Sequence, residues 1–123
     1  MKGKQKTPLK ETANNFLEGK SEVTLGLFEH FIQQFQKIEP INVRSTKSMI
    51  AIDSPNKSIA YVTQLGKNFI HVVFPFKKAY SDNLCFQKIA QVPGDNQFNH
   101  HFRMLAREDV NAEVRKFMKL AYG

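Results

Sequence analysis

The sequence has almost no cysteine and no tryptophan: among 123 residues, Cys85 is the single cysteine. One cysteine cannot form an intrachain disulfide, so a secreted disulfide scaffold is excluded and a reducing, cytoplasmic location is favoured. The apolar runs fall well short of the about 20 residues that cross a membrane. The first 20 residues carry lysines but no apolar signal-peptide core, so we expect neither a signal peptide nor a membrane partner.

Motifs for catalysis and cofactor binding are also missing. The six glycines form neither a Gly-x-Gly-x-x-Gly loop nor a Walker motif, and no His-Glu-x-x-His or Gly-x-Ser-x-Gly sequence occurs. Cys85 lies in a strand-like pattern with nothing to lower its pKa, which predicts a buried, inert thiol. We therefore predict no catalytic residues, no cofactor and no metal, which favours a protein that is not an enzyme.

Two amphipathic helices are predicted, one near each end of the chain. Residues 21–39 carry apolar side chains at three- and four-residue steps, which places them on one helical face. Ser21 or Thr24 could cap this helix, and Pro40 stops it. A second helix is predicted from about 109 to 122, with Asp109 or Asn111 as its cap.

Between the helices, the sequence predicts five or six strands joined mostly by short turns. The segments with strand-like patterns are 41–45, 49–52, 58–65, 67–76, 84–92 and 98–104. The stretch 67–76 is apolar on both faces and should lie at the centre of a sheet, with regular pairing failing near Pro75. Short turns make antiparallel neighbours, and the two helices need one face of the sheet to bury their apolar stripes.

We therefore predict an α+β fold: an antiparallel sheet of five or six strands with an N-terminal and a C-terminal helix packed on one face. Residues 1–20 are basic and poor in large apolar side chains, which predicts a flexible N-terminal segment. Residues 21–123 are predicted to form a single domain, since a chain of this length has enough apolar surface for one core.

Several segments carry a family resemblance: 25–38, 46–52, 100–103, 109–110 and 120–122. In their residues and in their order along the chain, these segments resemble a bacterial domain family of unknown function. Its members are small and are sometimes appended to nuclease-like or DNA-modifying proteins. More loosely, the chain is similar to small α+β domains of the YdhG and YjbR kind. The resemblance implies the fold rather than an activity, because the matching positions are mainly packing positions.

Two adjacent histidines near the end of the strand region should have different environments. Neighbours on a strand point to opposite faces, so His100 and His101 cannot easily chelate one ion. His100 shares its side with phenylalanines, which favours a satisfied core histidine. His101 lies on the other side with Asn99 and Arg103, and that polar strip is the better candidate for a binding surface.

The charge of the chain is +7, and nearly half of it lies in the first 20 residues. We predict a non-enzymatic binding or interaction module that uses the sheet face or an adjacent groove. Its predicted ligand contacts are Arg44, Lys47, His101 and Arg103. The alternative is a DNA-associated, nucleic-acid-binding accessory domain. Its predicted contacts are Lys67, Lys77 and Lys78.

Partners are less constrained by the sequence. Nucleic acid or another protein could bind, and the edge strand 41–45 could join two copies into a homodimer. An enzyme that uses a histidine as acid or base stays a further alternative. It would need one of these imidazoles beside a second polar group in a pocket. The histidines concerned are His71, His100 and His101.

Overall fold

The computed structural model describes residues 14–123 and has an α+β fold built on one six-stranded antiparallel sheet. The helices are α1 (Asn14–Leu17), α2 (Glu22–Ile38) and α3 (Ala112–Tyr122), with a 3₁₀ turn at Arg107–Asp109. The strands are β1 (Asn42–Ser45), β2 (Ile50–Asp53), β3 (Ser58–Leu65), β4 (Ile70–Phe76), β5 (Lys88–Gln91) and β6 (Phe98–Met104). The order across the sheet is β1-β2-β3-β4-β6-β5, and the predicted fold class is confirmed.

Helix α2 begins and ends where its sequence predicts. The Ser21 side chain accepts a hydrogen bond from the Thr24 N–H at 3.1 Å, which satisfies one of the unpaired donors at the helix start. At the other end Glu39 is extended, because the residue before a proline is disfavoured in the helical region and Pro40 follows. The apolar stripe of α2 is buried in the core.

Helix α3 starts three residues later than predicted. Of the two candidate caps, Asn111 is the one used: its side-chain oxygen accepts from the Val114 N–H at 3.0 Å. Asp109 belongs to the preceding 3₁₀ turn, where its carboxylate accepts from the Leu105 and Ala106 N–H groups at 2.7 and 3.0 Å. A short polar side chain such as Asp or Asn can accept backbone N–H bonds in a turn as well as at a helix start. Both positions therefore fitted a helix cap in the sequence.

Both helices pack on the same face of the sheet. Phe31 and Phe35 of α2 each have their ring centroid 6.4 Å from that of Phe74 in β4. Phe117 of α3 lies 5.8 Å from Phe76, two residues along the same strand and on the same side. These rings form the centre of the hydrophobic core, and the predicted one-sided packing is confirmed.

Strand β4 is central, as predicted, and pairs with β3 on one side and β6 on the other. The predicted failure of pairing near Pro75 holds on one side only. Pairing with β3 ends at Val73, whereas pairing with β6 continues past Pro75 to Phe76. A proline has no N–H to donate, and it is tolerated here because β4 has only one neighbouring strand at this point.

The predicted strand 84–92 is wrong in its first half. Only Lys88–Gln91 forms a strand, while Leu84 lies in a turn with its side chain 97% exposed. Cys85 is also in this turn rather than in a strand, and it is partly exposed rather than buried as predicted. Burial raises the pKa of its thiol to about 12, with Glu113 nearby adding to the effect. An inert thiol is therefore what the surroundings of Cys85 produce.

The folded unit includes part of the predicted flexible segment 1–20. In helix α1, Phe16 and Leu17 are partly buried and pack against the core. The rest of that prediction, on residues 1–13, lies outside the described residues. Within 14–123, no helix combines the length and the apolar character needed to cross a membrane.

Candidate functional site on the open sheet face

The sheet has a second face, opposite the helices, which we call the open face. Phe74 points toward the helices, so Val73 beside it points to the open face. Directly paired residues share a face, and one row therefore crosses the whole sheet. That row is Arg44, Ala51, Tyr61, Val73, His101 and Lys88. His71, Asn99 and Arg103 lie beside it by alternation along β4 and β6.

The closest polar contact on the open face joins two histidines. His71 Nε2 lies 2.8 Å from His101 Nδ1, the distance of an N–H···N hydrogen bond. His71 pairs with Arg103 and His101 pairs with Val73, so the two imidazoles are diagonal neighbours across β4 and β6. One imidazole donates and the other accepts, which uses one ring nitrogen of each.

Both imidazoles of this pair favour the neutral form. Partial burial lowers the pKa of His71 below 6.5, and the nearby His101 and Arg103 lower it further. Partial burial also lowers the pKa of His101, with Lys88 and His100 adding to the effect. At neutral pH the pair is therefore an uncharged, hydrogen-bonded unit, and the positive charge of the face comes from other residues.

Arg103 stands over an aromatic ring at one end of the open face. Its guanidinium carbon is 4.6 Å from the Phe69 ring centroid, a cation–π arrangement. The Phe69 backbone is held by α2, because the Thr24 hydroxyl donates to the Phe69 carbonyl at 2.8 Å. Gly66 leaves room for the ring, since a Cβ at that position would overlap Phe69. The Arg103 side chain is thus oriented by packing rather than by an acidic partner.

Arg44, a predicted ligand contact, is engaged within the fold. Its Nε lies 3.0 Å from Asp53 Oδ2, and a second guanidinium nitrogen donates to Ser58 at 3.1 Å. The Ser58 hydroxyl donates to Asp53 at 2.6 Å. Burial alone would raise the pKa of Asp53, but the hydrogen bonds from Arg44 and Ser58 lower it. Arg44 therefore neutralises Asp53, and this is the one ion pair within residues 14–123.

The other predicted cations are spread over the molecule. Lys47 is exposed in the β1–β2 turn, at an edge of the sheet. Lys67 lies in the β3–β4 turn, while Lys77 and Lys78 follow the far end of β4. The seven residues of β4 span about 23 Å, so these three lysines do not form one patch. Of the predicted ligand contacts, the structure brings together only His101 and Arg103, on neighbouring positions of the open face of β6.

His100 is a core residue, as predicted. It is fully buried, and its Nε2 accepts a hydrogen bond from the Tyr80 N–H at 3.0 Å. Nδ1 therefore carries the proton and donates to the Phe98 carbonyl at 2.9 Å. Both ring nitrogens are used, and neither is left for acid–base chemistry. Among residues 14–123, no group of three or more His, Cys, Asp or Glu side chains gathers where it could hold a metal ion.

A groove exists, but it is not next to the open face. It lies between α3 and the loop that follows β4, on the helical side of the molecule. Its lining residues are Tyr80, Asn83, Lys116, Phe117, Lys119 and Leu120. This groove is therefore not the place where His101 and Arg103 meet.

Lys88 and the contact between His71 and His101 were not predicted. The alternation along each strand gave the side on which a residue lies. It did not give the β4–β6 register, because β5 separates these strands in the sequence.

The fold and site define an α+β protein with one helix-covered and one open sheet face. In comparisons with protein-family models, curated proteins and solved structures, nothing matches this chain.

Proposed function

We propose that the protein is a non-enzymatic binding module that binds an anionic ligand on its open sheet face. The supporting observation is the charge on that face. Its one acidic side chain in a strand, Asp53, is neutralised by Arg44. Lys88 and Arg103 are exposed there, and within residues 14–123 neither forms an ion pair. An unbalanced pair of cations attracts negative charge and is the residue pattern of an anion-binding surface.

The surface beside these cations suits a ligand with apolar or aromatic parts. Tyr61, His71 and His101 are partly exposed, and Val73 lies among them. The imidazole pair uses one ring nitrogen of each histidine in its own hydrogen bond and adds partly exposed ring surface to this face.

The test is the salt dependence of binding to a simple polyanion. We would titrate the full chain with inorganic polyphosphate and with oligothymidylate at several salt concentrations, following amide signals by NMR. We expect the largest shifts on β4 and β6. Replacing both Lys88 and Arg103 by alanine should reduce the slope of log K against log salt by about 2, because each phosphate contact contributes about 1.

A matched double variant provides the control. Lys47→Ala combined with Lys77→Ala removes the same charge from two exposed lysines that lie in bends outside the strands. This control should leave the slope unchanged. Equal effects of the two double variants would contradict the proposal, because binding would then follow net charge alone. Shifts centred on Lys77 and Lys78 would also contradict it.

A further inference from the structure

Resting on the proposed function, we infer that the anionic ligand of the open face is single-stranded nucleic acid, with unstacked bases placed on Tyr61 and on the imidazole pair His71–His101. The inference comes from the juxtaposition of ring surfaces and unpaired cations on one exposed sheet. Bases of a single strand expose a flat aromatic face, and their phosphates carry one negative charge each. The open face offers a partner for both parts of such a ligand.

The spacing of the ring surfaces gives two stacking positions. Tyr61 on β3 and His101 on β6 flank Val73 on β4 in one row of directly paired residues. Neighbouring strands lie about 4.8 Å apart, so the backbone positions that carry the two rings are about 10 Å apart across the row. Val73 is a small, nearly buried residue, 7% exposed, and it leaves the space between the rings open. Two bases can therefore lie on the sheet side by side.

Both cations lie beside the His101 stacking position. Lys88, on β5, is paired with His101 of β6. Arg103 lies two residues after His101 along β6. The Arg103 guanidinium carbon lies over the Phe69 ring, and an exposed guanidinium is also a group on which a base can stack. The phosphate of a base placed on His101 would lie near both side chains. A polyanion without bases would use the cations but leave the rings uncovered.

Double-stranded nucleic acid fits this surface less well. In a duplex the bases are stacked on each other and present only their edges in the grooves. Base edges can be read by a helix or a two-stranded ribbon that enters the major groove, whereas the open face is the broad side of a sheet. The stacking positions would then remain unused. We therefore expect a strong preference for single strands over duplexes of the same sequence.

The experiment compares ligands that differ only in their bases. Anisotropy of a labelled oligothymidylate would be measured with the full chain, in competition with an abasic oligonucleotide of equal length and with a duplex. We expect the abasic strand and the duplex to compete much more weakly. Tyr61→Ala should weaken binding by about 5- to 150-fold, the range for loss of one base–aromatic stack. Tyr61→Phe keeps the ring and should bind like the wild-type chain.

Control variants separate stacking from damage to the fold. Tyr122→Ala removes a tyrosine from α3, away from the open face, and should leave the affinity unchanged. Each variant would first be checked for an unchanged amide spectrum outside its immediate surroundings. His71→Ala, which opens the imidazole pair, should weaken binding in the same direction as Tyr61→Ala.

The outcomes distinguish this inference from the proposed function. If the abasic strand competes as well as oligothymidylate, or if Tyr61→Ala binds normally, the ligand class is wrong. An effect of the Lys88 and Arg103 double variant would then still support an anion-binding face. If neither oligothymidylate nor polyphosphate binds, both the inference and the proposed function are overturned.

Discussion

His100 allows the sharpest prediction about stability, because it is a polar side chain enclosed by aromatic rings. The centroids of Phe76 and Phe86 lie 5.0 and 4.9 Å from its imidazole. His100→Phe would keep a ring of comparable size but leave the Tyr80 N–H without its acceptor and the Phe98 carbonyl without this donor. A buried polar group without its partner costs about 1–3 kcal/mol, so we expect a loss of about 2–4 kcal/mol in the free energy of unfolding.

The pH dependence of the same site has a definite sign. Burial lowers the pKa of His100 below its ordinary value of 6.5, so the folded state favours the neutral imidazole. Its contribution to stability is present above pH 6.5 and is lost as the pH falls toward the lowered pKa, with a slope of up to about 1.4 kcal/mol per pH unit. A second proton on Nε2 would turn the acceptor into a donor and break the bond from Tyr80.

Urea unfolding followed by circular dichroism, repeated between pH 8 and pH 4.5, would measure both effects. We expect His100→Gln to lose less stability than His100→Phe at pH 8, and to show a shallower loss in acid than the wild-type chain. The remaining acid sensitivity comes from other histidines with lowered pKa, such as His30. His30→Gln, at a partly exposed site, is the matched control. The reasoning would be refuted if His100→Phe were as stable as the wild-type chain and if the free energy of unfolding of both His100 variants depended on pH as it does in the wild-type chain.

Two further predictions concern a helix cap and a thiol. Asn111→Ala should lower the free energy of unfolding by about 1 kcal/mol in thermal or urea denaturation, because the Val114 N–H loses its acceptor, and Asn111→Asp should restore most of it. Equal stability of the alanine variant would show that the cap contributes nothing. Cys85 should react with a disulfide reagent much more slowly in the folded chain than in urea at pH 8, since its pKa is raised to about 12. Equal rates in the two states would contradict that account.

Much of the fold follows from local patterns in the sequence. The three- and four-residue steps of apolar side chains in α2 predict a buried stripe, and Ser21 and Pro40 mark its two ends. The alternation along β6 separates His100, which is buried, from His101 and Arg103, which face outward. These features were predictable because they depend on the periodicity of one element and on residues at its own ends.

Features that depend on several elements were not predictable in the same way. Leu84 fits the alternation of a strand, but its segment must carry the chain from the end of β4 past β6 to the sheet edge, and there it turns. Arg44 looked like a free cation until the β1–β2 pairing placed it beside Asp53. Lys67 and Lys77 are close in the sequence, yet a strand between them holds them at opposite ends.

The contact between His71 and His101 shows the same limit for the candidate site. Each residue had a predictable side, but their 2.8 Å contact requires the register that pairs His71 with Arg103. Register depends on how complete strands fit together in the sheet, and a shift of two residues would keep every side chain on its face while separating the two rings.

The strand order also affects the order in which the parts of the open face form during folding. Strands β1 to β4 form a meander in which each strand pairs with the next one in the chain, so their contacts close short loops. Strand β6 instead inserts between β4 and β5, and pairs such as Ile70 with Met104 close a much longer loop at a greater entropic cost. The seam between β4 and β6 is where the two imidazoles meet. A nascent chain that has formed only the meander carries Tyr61 and His71 but neither His101 nor Arg103 beside them, so the proposed binding surface is complete only when the last strands are in place.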